Sequence, residues 1–149
     1  MSLQSQIKNM KRLGELLSGE LGYIFGERES GPNGAKKQFL TTGRAFLVAL
    51  GKDLGLTQQK VHANKAGIAC SGEVYLSGMW DNSGLTLELT QDWLYGDCLN
   101  YGQIKDMRDT SGGYTHYITL EEIKRVDYVT LLEKLQRMNE DGIYGCDAA

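Results

Sequence analysis

A chain of 149 residues has room for one domain of ordinary size around a single core. Its 41% hydrophobic and 23% charged residues are globular values and exclude wholesale disorder. No apolar run approaches the roughly 18 residues of a membrane span, and Met1-Ser2-Leu3-Gln4 lacks the basic and apolar regions of a signal peptide, so a soluble cytoplasmic protein is expected.

The net charge of −3 is spread unevenly, because residues 1–60 carry nine Lys/Arg against five Asp/Glu and residues 61–149 carry seven against fourteen. Such asymmetry can mark a basic face for nucleic acid and an acidic face that repels it, but an ordinary solvated surface is the favoured reading, since no block of five or six like charges occurs. Three widely spaced cysteines, Cys70, Cys98 and Cys146, suggest neither a disulfide framework nor a zinc site. No metal or cofactor is expected.

Residues 3–18 are predicted to form an amphipathic helix, with Leu3, Ile7, Met10, Leu13 and Leu17 recurring at three- and four-residue steps and Gly19 as terminator. Leu21-Gly22-Tyr23-Ile24-Phe25-Gly26 suits an edge strand or a packed loop. Residues 27–34, with the only proline, are the clearest surface loop. A second helix begins at Ala35, with Phe39, Gly43, Phe46, Leu47, Leu50 and Leu54 as its buried stripe and Gly55 closing it. Glycine inside a helix costs about 1 kcal/mol against alanine, so Gly43 implies another backbone passing close by. Lys36, Lys37, Arg44 and Lys52 lie off the stripe, as a solvated face or as phosphate contacts.

Residues 57–63 enter a sheet, and Asn64-Lys65-Ala66-Gly67 is a turn. Beyond it Ile68, Cys70, Val74, Leu76 and Trp80 share one face, while Ala69, Ser71, Glu73, Tyr75, Ser77 and Met79 share the other. Leu85, Leu87 and Leu89 then alternate with Thr86, Glu88 and Thr90. With Asp81-Asn82-Ser83-Gly84 as the loop, Trp80 would face Leu85 and Leu76 would face Leu89, which places both apolar faces on one side. A fourth, weaker strand spans 98–105, with Leu99 and Tyr101 on one face and Ile104 on the other. Residues 105–113 are polar and rich in glycine. Thr119-Leu120-Glu121-Glu122 is a capping box, Asp127 caps a further turn, and Val129, Leu132, Leu135 and Met138 stripe a terminal helix that Gly142 ends.

The assembled expectation is an α+β protein: an antiparallel four-stranded β-meander with N-terminal and C-terminal helices packed on one face. One globular domain would cover 1–149, with an N-terminal helix and loop (1–37), a helix-plus-sheet core (38–118), C-terminal helices (119–141) and a tail (142–149).

Sites of chemistry are few. Of the two histidines, His62 should lie beside Lys60 on the open sheet face, and His116 follows the double glycine in Tyr114-Thr115-His116-Tyr117. Nucleophile elbows, P-loops, dinucleotide fingerprints and zinc-protease helices are all missing from the sequence. Arg108-Asp109-Thr110-Ser111-Gly112-Gly113-Tyr114 is either a locally satisfied turn or an anion-binding nest, with Arg108 as a clamp and Tyr114 and His116 as stacking surfaces.

The runs Gly43-Arg44-Ala45-Phe46-Leu47, Lys52-Asp53-Leu54-Gly55-Leu56, Asn64-Lys65-Ala66-Gly67-Ile68-Ala69-Cys70-Ser71-Gly72-Glu73-Val74 and Arg108-Asp109-Thr110-Ser111-Gly112-Gly113 resemble small conserved-hypothetical proteins carried by plasmids and phages, over residues 38–118. That resemblance implies a mobile element, where small proteins without enzyme motifs block host defence machinery or assist DNA handling. The first expectation is therefore a non-catalytic binding protein, most concretely a counter-defence inhibitor of the anti-CRISPR type, with a host or defence-system protein as partner. Surface occlusion or nucleic-acid mimicry would be its means, the latter through Glu73, Glu88, Asp92, Asp97, Asp106 and Asp109. A second reading is a nucleic-acid-binding accessory protein using Lys36, Lys37, Arg44, Lys60 and Arg108 with Tyr114 or His116. A small hydrolase or transferase built on His116 with Asp109 or Cys98 is the third. The open face bearing His62, Tyr75 and Met79 also allows pairing with a second copy.

Overall fold

The computed structural model describes residues 3–17, 35–64, 73–92, 96–108 and 116–140. The predicted loop 27–34, the turn and strand start at 65–72, the aromatics at 93–95, the double-glycine segment and the tail after residue 140 lie outside them. The described elements run α1 (Leu3–Leu17), α2 (Ala35–Asp53), β1 (Thr57–Asn64), β2 (Glu73–Met79), β3 (Gly84–Asp92), β4 (Gly96–Ile104), β5 (His116–Thr119), α3 (Leu120–Arg125) and α4 (Tyr128–Glu140). The five strands form one antiparallel sheet in chain order, β1-β2-β3-β4-β5. The α+β meander is therefore as expected, with one strand more. The added strand is β5, four residues beside the double glycine, too short to show an alternation of its own.

The core lies between the sheet and the helices. Val74, Leu76, Leu85, Leu87, Leu89, Leu99 and Ile118 fill the covered sheet face, and all are fully or almost fully buried. Every residue of the predicted α2 stripe is buried with them: Phe39, Gly43, Phe46, Leu47, Leu50 and Leu54. Burying each leucine contributes about 1.5–3 kcal/mol relative to leaving it in water, which sets the face of each strand. Gly55 closes α2 with a φ of +79°, and its N–H donates to the Lys52 carbonyl at 3.0 Å while Leu56 N–H donates to Gly51 at 3.0 Å. The neighbour that Gly43 admits is not a backbone. A Cβ there would lie 3.2 Å from Leu89 Cδ1 and 3.3 Å from Val74 Cγ2, so the glycine lets the helix settle onto sheet side chains.

The β2–β3 register is displaced by two residues from the expected one. Leu76 pairs with Leu87, Gly78 with Leu85 and Met79 with Gly84, and Trp80 N–H donates to the Ser83 carbonyl at 2.7 Å to close the hairpin. A slip of two preserves the period of two, so both apolar faces still meet the core. The Trp80 indole N–H reaches the Leu54 carbonyl at 2.8 Å, which ties the hairpin to the end of α2.

Two helices are rotated from their predicted stripes. On α1, Leu3 and Ile7 are about half exposed while Gln6, Met10 and Leu13 are buried. On α4 the buried set is Tyr128, Leu131, Leu135 and Met138, with Val129 half exposed. One interaction accounts for both rotations. Gln6 Nε2 donates to the Phe46 carbonyl at 3.1 Å and to the Tyr128 hydroxyl at 3.0 Å, and that hydroxyl donates to Asp53 Oδ2 at 2.7 Å. Most buried polar groups are hydrogen-bonded, and this chain of bonds joins α1, α2 and α4. Ahead of α3, the Thr119 hydroxyl accepts from Glu122 N–H at 3.1 Å and meets the Glu122 carboxylate at 3.1 Å. Asp127 Oδ1 accepts from Thr130 N–H at 2.7 Å and caps α4.

Candidate binding face

With the helices on one side, the other face of the sheet is assembled by register alone. His62 pairs with Tyr75, Tyr75 with Glu88, Glu88 with Asn100 and Asn100 with Tyr117. These five residues make one row across all five strands, and the alternation that buries Leu76, Leu87 and Tyr101, with Val61 partly buried beside them, turns the row outward. Lys60, Ser77 and Thr86 form the next row. Tyr75 and Tyr117 are 39% and 42% exposed, values that leave large ring surfaces in water.

The row is organised by its own contacts. The His62 ring lies 5.1 Å from that of Tyr75, tilted by 42°. Asn100 Nδ2 donates to Glu88 Oε1 at 3.1 Å, which fixes the carboxylate in mid-sheet. Tyr75 is a ridge between two shallow hollows. One, of about 420 Å³, runs to Tyr117 over Ser77, Thr86, Glu88 and Asn100. The other, of about 510 Å³, is lined by Lys60, His62 and Ser77 and bounded by Met107 from the segment that follows β4.

The residues singled out from the sequence are scattered by this architecture. Glu88 is central to the row, and Lys60 stands beside it. Arg108 is exposed at the end of the segment after β4, where its main-chain N–H donates to Asp106 Oδ1 at 2.8 Å. His116 lies on the covered side, half-buried, with its ring stacked 5.2 Å from Tyr101 at 25°. Burial first, and then the Glu122 carboxylate, raise the Tyr101 hydroxyl above its ordinary pKa. Arg44 is exposed on α2, in the helical layer, so it does not join Lys60 in one basic patch. Lys36 and Lys37 fall in the first turn of α2 and Glu73 opens β2 opposite Asn64. Asp109, Gly112, Gly113 and Tyr114 lie outside the described residues. Cys98 pairs with Thr119 and His116 with Tyr101, three positions apart on the ladder.

Sequence reasoning named His62 and Tyr75 as open-face residues but missed Tyr117 and Asn100. The signal for Asn100 was present, since it alternates with Leu99 and Tyr101; Tyr117 needed β5. Among the described residues, no group of three or more His, Cys, Asp or Glu converges to hold a metal, and no helix is long and apolar enough to cross a membrane. Comparison of the chain with protein-family models, with curated proteins and with solved structures finds no match.

Proposed function

We propose that this chain is a non-catalytic binding protein that takes an unpaired nucleic-acid strand on the uncovered face of its sheet. The observation that carries the reading is the row His62–Tyr75–Glu88–Asn100–Tyr117, in which rings on β1, β2 and β5 flank the hydrogen-bonded Glu88–Asn100 pair across the whole sheet. Every base has a π-face, so tyrosine rings on an open sheet act as stacking platforms, and amide and carboxylate groups between them meet base edges. Lys60 supplies positive charge beside the row and suits phosphate. A plasmid or phage setting, in which such a protein assists DNA handling, is the context we propose for it.

The counter-defence reading is carried less well. Mimicry of phosphate needs several carboxylates on one surface, and among the described side chains the open row has Glu88 alone, bonded to Asn100. The test is fluorescence anisotropy with labelled 12-nucleotide single strands of mixed sequence, RNA and DNA, against duplexes. Tyr75→Ala and Tyr117→Ala should each weaken single-strand binding about fivefold or more, and duplexes should bind less tightly. Absence of binding to any strand, together with a protein partner that survives nuclease and is lost on Tyr75→Ala, would overturn the reading and return the occluding inhibitor.

A further inference from the structure

Resting on the reading that the open face takes a single strand, we infer that this strand runs across the β-strands and stacks two bases that are not neighbours, one on Tyr75 and the next but one on Tyr117. The two tyrosines stand in one register row, Tyr75 on β2 and Tyr117 on β5, joined through Glu88 and Asn100. Two strands lie between them, so at the ordinary strand spacing their backbones are about 14 Å apart. Both side chains are exposed, and both border the same hollow of about 420 Å³.

Bases stacked as in a duplex rise about 3.4 Å per nucleotide, too little for two neighbours to reach both rings. Drawing the sugar–phosphate backbone out to its full length roughly doubles that rise, and two such steps match the gap. The middle nucleotide then lies over Ser77, Thr86, Glu88 and Asn100, where no exposed ring stands among the described residues. Leu87 and Tyr101 border the same hollow but are buried toward the core. His62 does not fill the gap either. Its ring lies 5.1 Å from that of Tyr75 on β1, the side away from Tyr117, so it extends the first platform. The ligand that fits is a strand whose bases are free to unstack, because a duplex holds them at the shorter rise.

The measurement is equilibrium anisotropy on the full chain with labelled RNA octamers that carry uracil only at chosen positions and are abasic elsewhere. The series has no base, one base, two adjacent bases, two bases separated by one abasic site, and every base. The separated pair should bind about fivefold or more tightly than the adjacent pair, the low end of what one base–ring stack contributes. The adjacent pair should gain little over the single base, and Tyr117→Ala should remove the advantage of the separated pair. An adjacent pair that binds as tightly as the separated one, with the full octamer still tighter than the abasic one, would overturn the spacing and leave strand binding intact. A full octamer that binds no better than the abasic one, or not at all, would overturn both.

Discussion

Gly84 shows how one residue type can be dictated by its surroundings. It opens β3 opposite Met79 on one side and Ile104 on the other. A Cβ there would sit 2.4 Å from the Gly78 carbonyl oxygen, 2.6 Å from Met79 Sδ and 2.9 Å from Ile104 Cγ1. The sulfur can swing aside, but the carbonyl belongs to the neighbouring strand. Gly84→Ala should therefore lose about 1–3 kcal/mol, the range for overpacking a filled site, read as a lower urea midpoint with unchanged m-value. Retention of full stability would mean that the hairpin can open without cost. Gln58 tells the opposite story. It holds a φ of +55° where the β1–β2 register shifts between Thr57 and Lys60, a conformation that costs a side chain roughly 1 kcal/mol. Such a bulge on an edge strand disturbs the row of free backbone groups that would recruit another sheet.

The helices illustrate what a pattern of apolar residues leaves undecided. On α2 the stripe was legible in full, because large side chains at Phe39, Phe46, Leu47, Leu50 and Leu54 leave one orientation that covers the sheet. On α1 and α4 it was not, since Leu3, Ile7, Val129 and Leu132 compete with the residues that are in fact buried. The choice falls to Gln6 and Tyr128, which a hydrophobicity pattern counts as polar or half-polar. Strand faces were legible because parity survives a slip of two residues, whereas the slip itself depended on where the hairpin closes at Trp80 and Ser83. In the open row, the strand carrying Tyr75 was read correctly, but a four-residue strand carrying Tyr117 left no pattern to find.

Tyr128 also gives the helical layer a pH signature. Burial, and then donation to the Asp53 carboxylate, raise its hydroxyl well above the ordinary 10.0, with Gln6 pulling slightly the other way. The folded state thus holds this proton where the unfolded chain has released it. The resulting stability is fully present below about pH 10 and is lost as pH rises toward the folded value. Tyr128→Phe should cost about 1–2 kcal/mol near neutrality, as expected for a hydrogen bond to a charged acceptor that is partly solvated. The gap between wild type and variant should narrow on going from about pH 9 to about pH 11. A gap that stays constant in urea titrations at both pH values would show that the hydroxyl does not couple α4 to α2.

At the scale of the whole molecule, the two faces of the sheet divide the work. The covered face carries the leucines that hold the fold, and the polar knot of Gln6, Tyr128 and Asp53 lies within the helical layer, away from the open row. The open face carries rings and hydrogen-bonding groups whose burial the fold does not need, so it is available to a partner. This separation predicts that Tyr75→Ala and Tyr117→Ala change binding far more than stability. It also parts two basic residues of the first sixty, because Arg44 belongs to the helical layer and Lys60 to the open face.

The most direct test of this account is a ¹H–¹⁵N spectrum of the labelled protein titrated with a short single-stranded RNA. The account predicts that the largest shifts fall on His62, Tyr75, Glu88, Asn100 and Tyr117, with Arg44 and Lys52 of the helical layer unmoved. Shifts confined to α1 and α2, or none at concentrations that saturate other single-strand binders, would contradict it.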